Sequence, residues 1–274
     1  MNKVWVNGDL VDVAEATVSV FDHGLTVGDG VFETLKTYGG RPFAVRRHLE
    51  RLATSAAGLG LTAPAPEVLR AAMEEVVAAN GVDDGALRIT CTGGRGPLGS
   101  ARGDSGQTLI VASAALAPWP LTTGVAVVPW PRNDRGAVAG LKTTSYAENV
   151  VALGWAHQRG AGEALFLNLA GNVCEGTGSN VFVAVGGRLV TPPLSAGCLA
   201  GVTRALVLEA GDAVEADVTV ADLERASEAF LASTTREVQP IGDVDGRPLP
   251  SAPGPLTEAS AAALAALVAS DLDP

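Results

Sequence analysis

The chain opens on two short apolar runs, "KVWVNGDLVD", either side of Asn7-Gly8, a dipeptide that favours the tight turn of a β-hairpin. "VFETLKTYGGRPF" alternates with period two and then turns at Gly39-Gly40, which predicts a strand over residues 31–38. In "VRRHLERLATSAAGLG" the apolar positions move to helical spacing and end on a glycine. "PEVLRAAMEEVVAANG" repeats that pattern with Pro66 near the start and Gly81 as the stop. "ALRITCT" and "QTLIVASAAL" predict strands on either side of a glycine-rich loop, "GGRGPLGSARGDSG". Two prolines in "APWPL" forbid regular continuation, so residues 117–121 are assigned as a linker.

The second half begins with a strand, "GVAVVPW". A helix is then expected to follow Lys142 at once and run to about Arg159. "EALFLN" predicts a strand and "LAGN" a turn. "VCEGTGSNVFVAVGGRLVTP" predicts a strand pair with a tight corner at Glu175–Asn180. "GVTRALVLEAG" predicts a short helix entered from a glycine, and "SEAFLASTTREVQPIGDVDG" a strand, a polar turn and another strand. "TEASAAALAALVAS" predicts a terminal helix that packs on the body. No fixed-period repeat is present. The elements imply an α+β chain in two unequal parts, residues 1–116 and 122–274.

Composition narrows the function. With 274 residues, 47% of them apolar, the chain can bury a sizeable core. A formal net charge of −11 argues against a nucleic-acid or anionic-membrane surface. Small anionic substrates stay open, because a few local arginines can override the global sign. Cys91, Cys174 and Cys198 are odd in number and scattered, which suggests neither a disulfide framework nor a metal site. A reduced, cytoplasmic setting is therefore expected. Residues 1–30 lack a basic segment followed by an apolar one, so no signal peptide is expected. No uncharged apolar run reaches membrane-spanning length.

Four features carry candidate chemistry. Lys142, in "GLKTTSYAENVVALGWAHQRG", stands between small and apolar neighbours at what reads as a helix start. A helix N-terminus disfavours a cation, so this amine is expected to lose its proton more easily, as imine chemistry requires. Glu175 sits beside Gly176 and Gly178 at a strand end, where a carboxylate could hold a proton on a pyridine-type nitrogen. Gly201, Val202 and Thr203 at a helix start, and Ser233, Thr234 and Thr235 at a turn, offer donors to an anion. Arg51, in "RRHLERL", could add a guanidinium. Each has an ordinary structural explanation: a surface lysine, a solvated carboxylate, a cap, an exposed helix face. As a set they match the needs of pyridoxal 5'-phosphate.

Here the chain resembles the class IV, or fold-type IV, aminotransferases. The resemblance runs through "VNGDLVD", "FDHGLTVGDGVFETLKTYGGRPFAVRRHLERL", "LKTTSYAENVVAL", "EALFLNLAGNVCEGTGSNVFV", "LSAGCLAGVTR" and "STTREVQPI", nearly the whole chain. It implies a smaller N-terminal α/β domain and a larger C-terminal α/β pseudo-barrel that carries the lysine, with the cofactor at their interface. It implies that Lys142 forms the covalent link to pyridoxal phosphate and shuttles the proton, and that Glu175 partners the pyridine nitrogen. Arg51, the backbone of Val202 and Thr203, and the Thr234 side chain become the phosphate cup. Tyr146, four residues beyond Lys142, would share its helix face and bond the phenolic oxygen, while Gly178 to Asn180 shape the wall beside Glu175. A ping-pong transamination follows, in a homodimer whose neighbouring loop completes the pocket.

Substrate choice is expected on the strand "GDGVFETLKTY" and the loop "CTGGRGPLG". Phe32, Thr34 and Lys36 share one strand face, and Val31, Glu33 and Leu35 the other. The strand resembles that of D-amino-acid transaminases, which have an acidic residue at the place of Glu33 but commonly tyrosine at that of Phe32. Their loop arginine and histidine, two apart, are missing: His23, His48 and His157 all lie outside the loop. Arg95 is the candidate for the substrate carboxylate, Arg102 its substitute, and Thr235 a further substrate donor. The favoured expectation is amino exchange between D-amino acids, with some (R)-amines, and 2-oxo acids. The alternative is an aminodeoxychorismate lyase, since "GGRG" and "LKTTSYAENV" resemble those enzymes too. A branched-chain L-amino-acid aminotransferase ranks third. A binding protein that kept only the fold is the contrasting class.

Overall fold

In a computed structural model, which describes residues 2–274, the chain divides into two compact units. One comprises residues up to Ala117 together with Leu141–Tyr146 and Asp271–Pro274; the other comprises Pro118–Gly140 and Ala147–Ser270.

The first unit is built on the N-terminal hairpin. β1 (Lys3–Val6) and β2 (Asp9–Asp12) pair antiparallel about Asn7-Gly8, both with positive φ as a tight hairpin turn requires. A short helix, α1 (His23–Thr26), capped by the Asp22 carboxylate, leads into β3 (Gly30–Tyr38) and β4 (Arg41–Pro42). Two helices follow, α2 (Val45–Leu59) and α3 (Pro66–Asn80), each ended by a left-handed glycine, Gly60 and Gly81. β5 (Gly85–Thr92) and β6 (Thr108–Ala115) complete an antiparallel sheet of order β2-β1-β6-β5-β3-β4. The buried side of α2, Val45, Leu49, Leu52 and Ala56, packs in one core with Leu69, Met73 and Val76 of α3 and with Val31, Leu35, Leu87, Ile89 and Val111 of the sheet. Residues Leu272–Asp273 dock on the start of α2: the Ala44 N–H donates to Leu272 O and the Arg46 N–H to Asp273.

In the second unit the strands are β7 (Thr123–Val127), β8 (Glu163–Leu167), β9 (Val173–Gly176), β10 (Asn180–Val185), β11 (Arg188–Thr191), β12 (Val214–Glu215), β13 (Ala229–Ser233), β14 (Glu237–Val244) and β15 (Arg247–Pro248). The helices are α4 (Ala147–His157), α5 (Val202–Ala210), α6 (Val220–Arg225) and α7 (Pro255–Ser270). The mixed sheet runs β12-β11-β10-β13-β14-β7-β8-β9, with β15 on β14. β9 forms one edge, yet the chain turns from it directly into the interior strand β10, with which it stays in contact. The sheet therefore curls back on itself. Phe182 and Phe230, directly opposite on β10 and β13, stack at 4.8 Å and are fully buried. Such a pair adds about 1 kcal/mol beyond its area burial.

Three expectations change. The helix after Lys142 begins only at Ala147, five residues on. Residues 142–144 are instead extended against β3: Phe32 N–H donates to Lys142 O (3.1 Å), Thr144 N–H to Gly30 O (2.8 Å), and Val31 bridges Thr143. Backbone pairing to a strand edge has displaced the helical turn, and it also groups residues 141–146 with the first unit although the sequence suggested one second domain over 122–274. Finally, the segment read as a strand pair after Val173 is three strands. β9 pairs with β8, not β10; the corner is residues 177–179, and Gly186-Gly187 turns the β10–β11 hairpin.

Candidate active site

Lys142 reaches its place through backbone contacts. Its N–H donates to the Ser55 hydroxyl on α2 (3.1 Å), and the Leu141 side chain lies on Gly58, where any Cβ would collide with it. Its carbonyl is held by β3, as above. The ammonium then lies 4.2 Å from the centroid of the Phe32 ring and 5.9 Å from that of Tyr146, which meets Phe32 edge-on at 5.1 Å. Tyr146 precedes the first helical residue, so its closeness to Lys142 comes from this aromatic packing rather than from a shared helix face. The helix N-terminus expected to weaken the lysine's hold on its proton is likewise not at Lys142.

Phe32 carries a second cation. The Arg88 guanidinium lies 3.6 Å from the same ring centroid. Arg88 is opposite Thr34 in the β3–β5 pairing, so strand alternation puts it on the face of Phe32, Thr34 and Lys36. Burial pushes its pKa down, opposed by Tyr146 and Glu33. It makes no hydrogen bond or ion pair with any described residue. The sequence did hold this signal, an arginine in the middle of a strand, but only the β3–β5 register shows what it faces.

The two expected carboxylate binders on the glycine-rich loop are placed differently. Arg95 is exposed. Arg102 is consumed: Nε and Nη2 donate to both oxygens of Asp29 (2.7 and 2.6 Å), and Nη1 and Nη2 to the carbonyls of Gly60 and Leu59. It staples the loop to the end of α2. The loop is further pinned by His23, whose Nε2 lies 2.8 Å from Pro97 O.

On the opposite face of β3, Glu33 is buried beside Val31 and Leu35. Arg51 donates to it in a fork, Nε to Oε1 and Nη2 to Oε2, both at 2.7 Å, and His48 Nδ1 donates to Oε2 at 2.7 Å. Burial raises the Glu33 pKa, but the charge and hydrogen bonds of Arg51, with the His48 bond, outweigh it and hold the carboxyl at about 2. His48 is pushed down, chiefly by burial. Arg51 is thus fixed one helical turn before Ser55, the residue that holds the Lys142 backbone.

In the second unit Glu175 is the penultimate residue of β9. Its Oε2 accepts the N–H of Leu199 (2.9 Å), and Oε1 lies 3.6 Å from Arg132 Nε, a buried atom with no hydrogen-bond partner. Arg132 also bonds Glu148 and Asn149 and lies 4.0 Å over Phe166. No local pattern marked Arg132 in the sequence. Asn180 donates to Leu199 O (2.9 Å), and a Cβ on Gly201 would overlap its side-chain oxygen. So Glu175, the Leu199–Gly201 segment and the start of α5 form one tight construction. No side chain caps that helix, so its first-turn N–H groups, those of Val202 and Thr203 among them, have no capping side chain and could donate to an anion. Thr234 and Thr235, half-buried, lie in the turn between β13 and β14.

The donor set fits pyridoxal phosphate. The first unit offers an amine set among aromatic rings; the second offers a half-buried carboxylate beside an unsatisfied arginine nitrogen, and an uncapped helix start. The cysteines add no nucleophile: all three are buried and free, with burial raising Cys91 to about 11 and Cys198 to about 12. No group of metal-ligating residues occurs among the described residues, and no helix among them is long and apolar enough to cross a membrane.

Comparison with known proteins agrees with this chemistry. The family model described as Amino-transferase class IV matches residues 30–244. A D-alanine aminotransferase of Listeria innocua is 34% identical over 261 residues, covering 89% of this chain and 88% of its own. The structure of a branched-chain aminotransferase from Thermoproteus uzoniensis superposes with a TM-score of 0.90 at 34% identity, over 97% of this chain and 94% of that one. A Mycobacterium tuberculosis aminotransferase in its pyridoxal-phosphate-bound form gives 0.88 at 29%, over 98% and 99%. The chain belongs to the class IV aminotransferases, with the fold-type IV architecture, and its cofactor is pyridoxal 5'-phosphate.

Glu33 gives a pH dependence with a definite sign. Its folded pKa lies below the ordinary value of 4.5, so its contribution to stability is present above about pH 4.5 and lost as pH falls towards 2. Urea unfolding at stepped pH should show wild type losing stability across that window. Glu33→Gln should be weaker by about 3 kcal/mol at neutral pH and decline less steeply in acid. An acid decline as steep as that of wild type would place the titration on other groups.

Proposed function

We propose that this enzyme moves the amino group between D-amino acids and 2-oxo acids by a ping-pong mechanism. The observation that carries it is the Arg88–Phe32–Lys142 arrangement: a guanidinium with no anionic partner shares one ring with the amine proposed to react. An α-amino acid offers a carboxylate to the first and an α-proton to the second. The stereochemical choice draws on the β3 strand, whose acidic Glu33 resembles D-amino-acid transaminases, and on similarity to a D-alanine aminotransferase over nearly the whole chain.

When bound, pyridoxal phosphate supplies an aldehyde that takes up amines and a protonated ring that withdraws the electron pair left by the departing α-proton. Lys142 would supply the amine that holds the group, and its free amine would take the substrate α-proton and later return it. Glu175 keeps the ring nitrogen protonated, with Arg132 Nε 3.6 Å from that carboxylate. Arg51, held by Glu33, binds phosphate with the N–H groups of Val202 and Thr203 and the Thr234 hydroxyl. Tyr146 bonds the phenolic oxygen. Phe32, Thr34 and Lys36 line the substrate side with Thr235, and Arg88, ahead of Arg95, takes the carboxylate. We place the enzyme in the cytoplasm as a homodimer. The exposed apolar side chains Val20, Phe21, Leu25 and Leu98 of the first unit give a second copy a surface to cover.

A panel of D- and L-amino acids, each followed at the cofactor band, tests the reaction. D-Alanine or D-glutamate should convert the cofactor to its amino form. Conversion by L-valine or L-leucine alone would move the assignment to branched-chain L-amino acids, which similarity to the Thermoproteus uzoniensis enzyme also supports. Release of 4-aminobenzoate from aminodeoxychorismate would make the protein a lyase. Lys142→Ala should lower turnover by about 10³-fold or more, and borohydride should then leave no cofactor attached to the protein; cofactor fixed at another residue would remove Lys142 from the mechanism.

Arg88→Ala should raise KM for D-amino acids by about 10- to 100-fold with kcat little changed, as expected for a lost charge-assisted contact. Arg95→Ala should change KM much less. The reverse ranking would return the carboxylate to the loop. Sedimentation should give twice the chain mass at micromolar concentration, and a monomer at that concentration would refute the dimer.

A further inference from the structure

Glu163 opens β8 and is 2% exposed, yet none of the roles above uses it. Its Oε1 accepts the N–H groups of Ala164 (3.0 Å) and Thr177 (3.1 Å) and the Thr177 hydroxyl. Its Oε2 accepts the Ser179 hydroxyl (3.2 Å) and lies 3.4 Å from Arg236 Nη2. One carboxylate thus ties the corner that follows Glu175 to the turn between β13 and β14.

Both sides of this link are tightly built. A Cβ on Gly176 would come within 2.6 Å of the Ser179 hydroxyl and 3.2 Å of the Glu163 side chain, so the corner is pressed onto the carboxylate. Arg236 closes the turn by donating its N–H to Ser233 Oγ (3.3 Å). Its guanidinium also reaches Gln239 and Gly162 O, and its Cζ lies 3.9 Å from the centroid of the Trp119 ring. The Arg236 side chain is 8% exposed. Desolvating two charges this completely leaves little net gain over an apolar replacement, so stability alone does not account for the pair. What the pair fixes is the spacing of two segments.

We propose that Glu163 and Arg236 are positioning residues that lock the Glu175 strand and the Ser233–Arg236 turn at one separation, so that cofactor ring and cofactor phosphate are gripped together. This rests on the roles proposed above for Glu175 and Thr234. Neither positioning residue touches the cofactor in this scheme. Without the lock each end would still bind its half of the ligand, but the two contributions would no longer reinforce one another.

The test compares pyridoxal 5'-phosphate with pyridoxal, which lacks the phosphate, by absorbance titration of apoprotein. In wild type the phosphate should bring a large gain in affinity. Arg236→Gln should lose about fivefold or more of the affinity for pyridoxal phosphate, within the usual range of couplings between sites, while its affinity for pyridoxal is unchanged. Glu163→Gln should weaken both, pyridoxal phosphate by the larger factor. Arg236→Lys keeps a cation beside Glu163 and avoids an unpaired buried carboxylate. It should show a smaller loss in the same direction, and it decides the matter if the other two do not fold. A ratio of the two affinities equal to that of wild type in the folded variants would overturn the proposal, whatever happens to their melting temperatures. A wild-type protein that binds no pyridoxal phosphate would instead overturn the cofactor roles on which it rests.

Discussion

Two backbone hydrogen bonds decide where the Lys142 amine can be. Phe32 N–H to Lys142 O and Thr144 N–H to Gly30 O seat residues 142–144 along the start of β3. An extended segment paired to a sheet has few conformations left to its backbone, so the side chain starts from a fixed point. Leu141 against Gly58 and Ser55 beneath the Lys142 N–H hold the other side. A lysine on an exposed helix face would sweep a large volume through its four-carbon stem. Here the stem is directed over Phe32, and the ring gives the ammonium a favourable face, a contact worth about 0.5–2 kcal/mol. Arg88 occupies the same ring. Two cations at one ring repel each other, and an anion bound near them relieves that repulsion.

Alternation along β3 then separates two kinds of chemistry by a single residue step. Phe32 and Thr34 face the amine, while Glu33 points into the core and meets Arg51 and His48. Because the period is two, shifting the register by one residue would exchange a buried ion pair for an aromatic platform and destroy both. The register is protected by the long β3–β5 pairing from Gly30 to Thr37 and by the apolar residues Val31 and Leu35 on the Glu33 side.

The sequence showed most of the regular elements because their signals are local. Asn7-Gly8 specifies a hairpin, Gly60 and Gly81 stop helices, and Pro66 starts one; each acts within a few residues of itself. Lys142, Glu175 and the start of α5 could be singled out as candidates because their neighbours, glycines above all, are unusual in composition. The start of α4 was misplaced because nothing near Lys142 reveals that β3, more than a hundred residues earlier, competes for its backbone. Arg88 and Arg132 escaped for the same reason. One takes its meaning from a strand register and the other from a carboxylate reached through a different strand. Arg102 was over-read: an arginine on a glycine-rich loop looks available until Asp29 and two helix-end carbonyls are seen to consume it.

The two units place a buried strand carboxylate in the same kind of setting. Glu33 on β3 and Glu163 on β8 are each enclosed, each paired with an arginine from another element, and each satisfied by further donors. Removing one partner of such a pair is costly because a charge is left buried, whereas replacing both by apolar groups is often nearly neutral. A chain could therefore have filled these positions with leucine or valine at no great loss of stability. A hydrocarbon contact, however, tolerates sliding more readily than an arginine–carboxylate contact, which is a fork at Arg51–Glu33 and a single Nη2–Oε2 approach at Arg236–Glu163. The arginines concerned, Arg51 and Arg236, lie on the helix that holds the Lys142 backbone and in the turn that carries Thr234. The two ion pairs are best understood as devices that hold functional side chains to a fixed geometry, with stability as the lesser consequence.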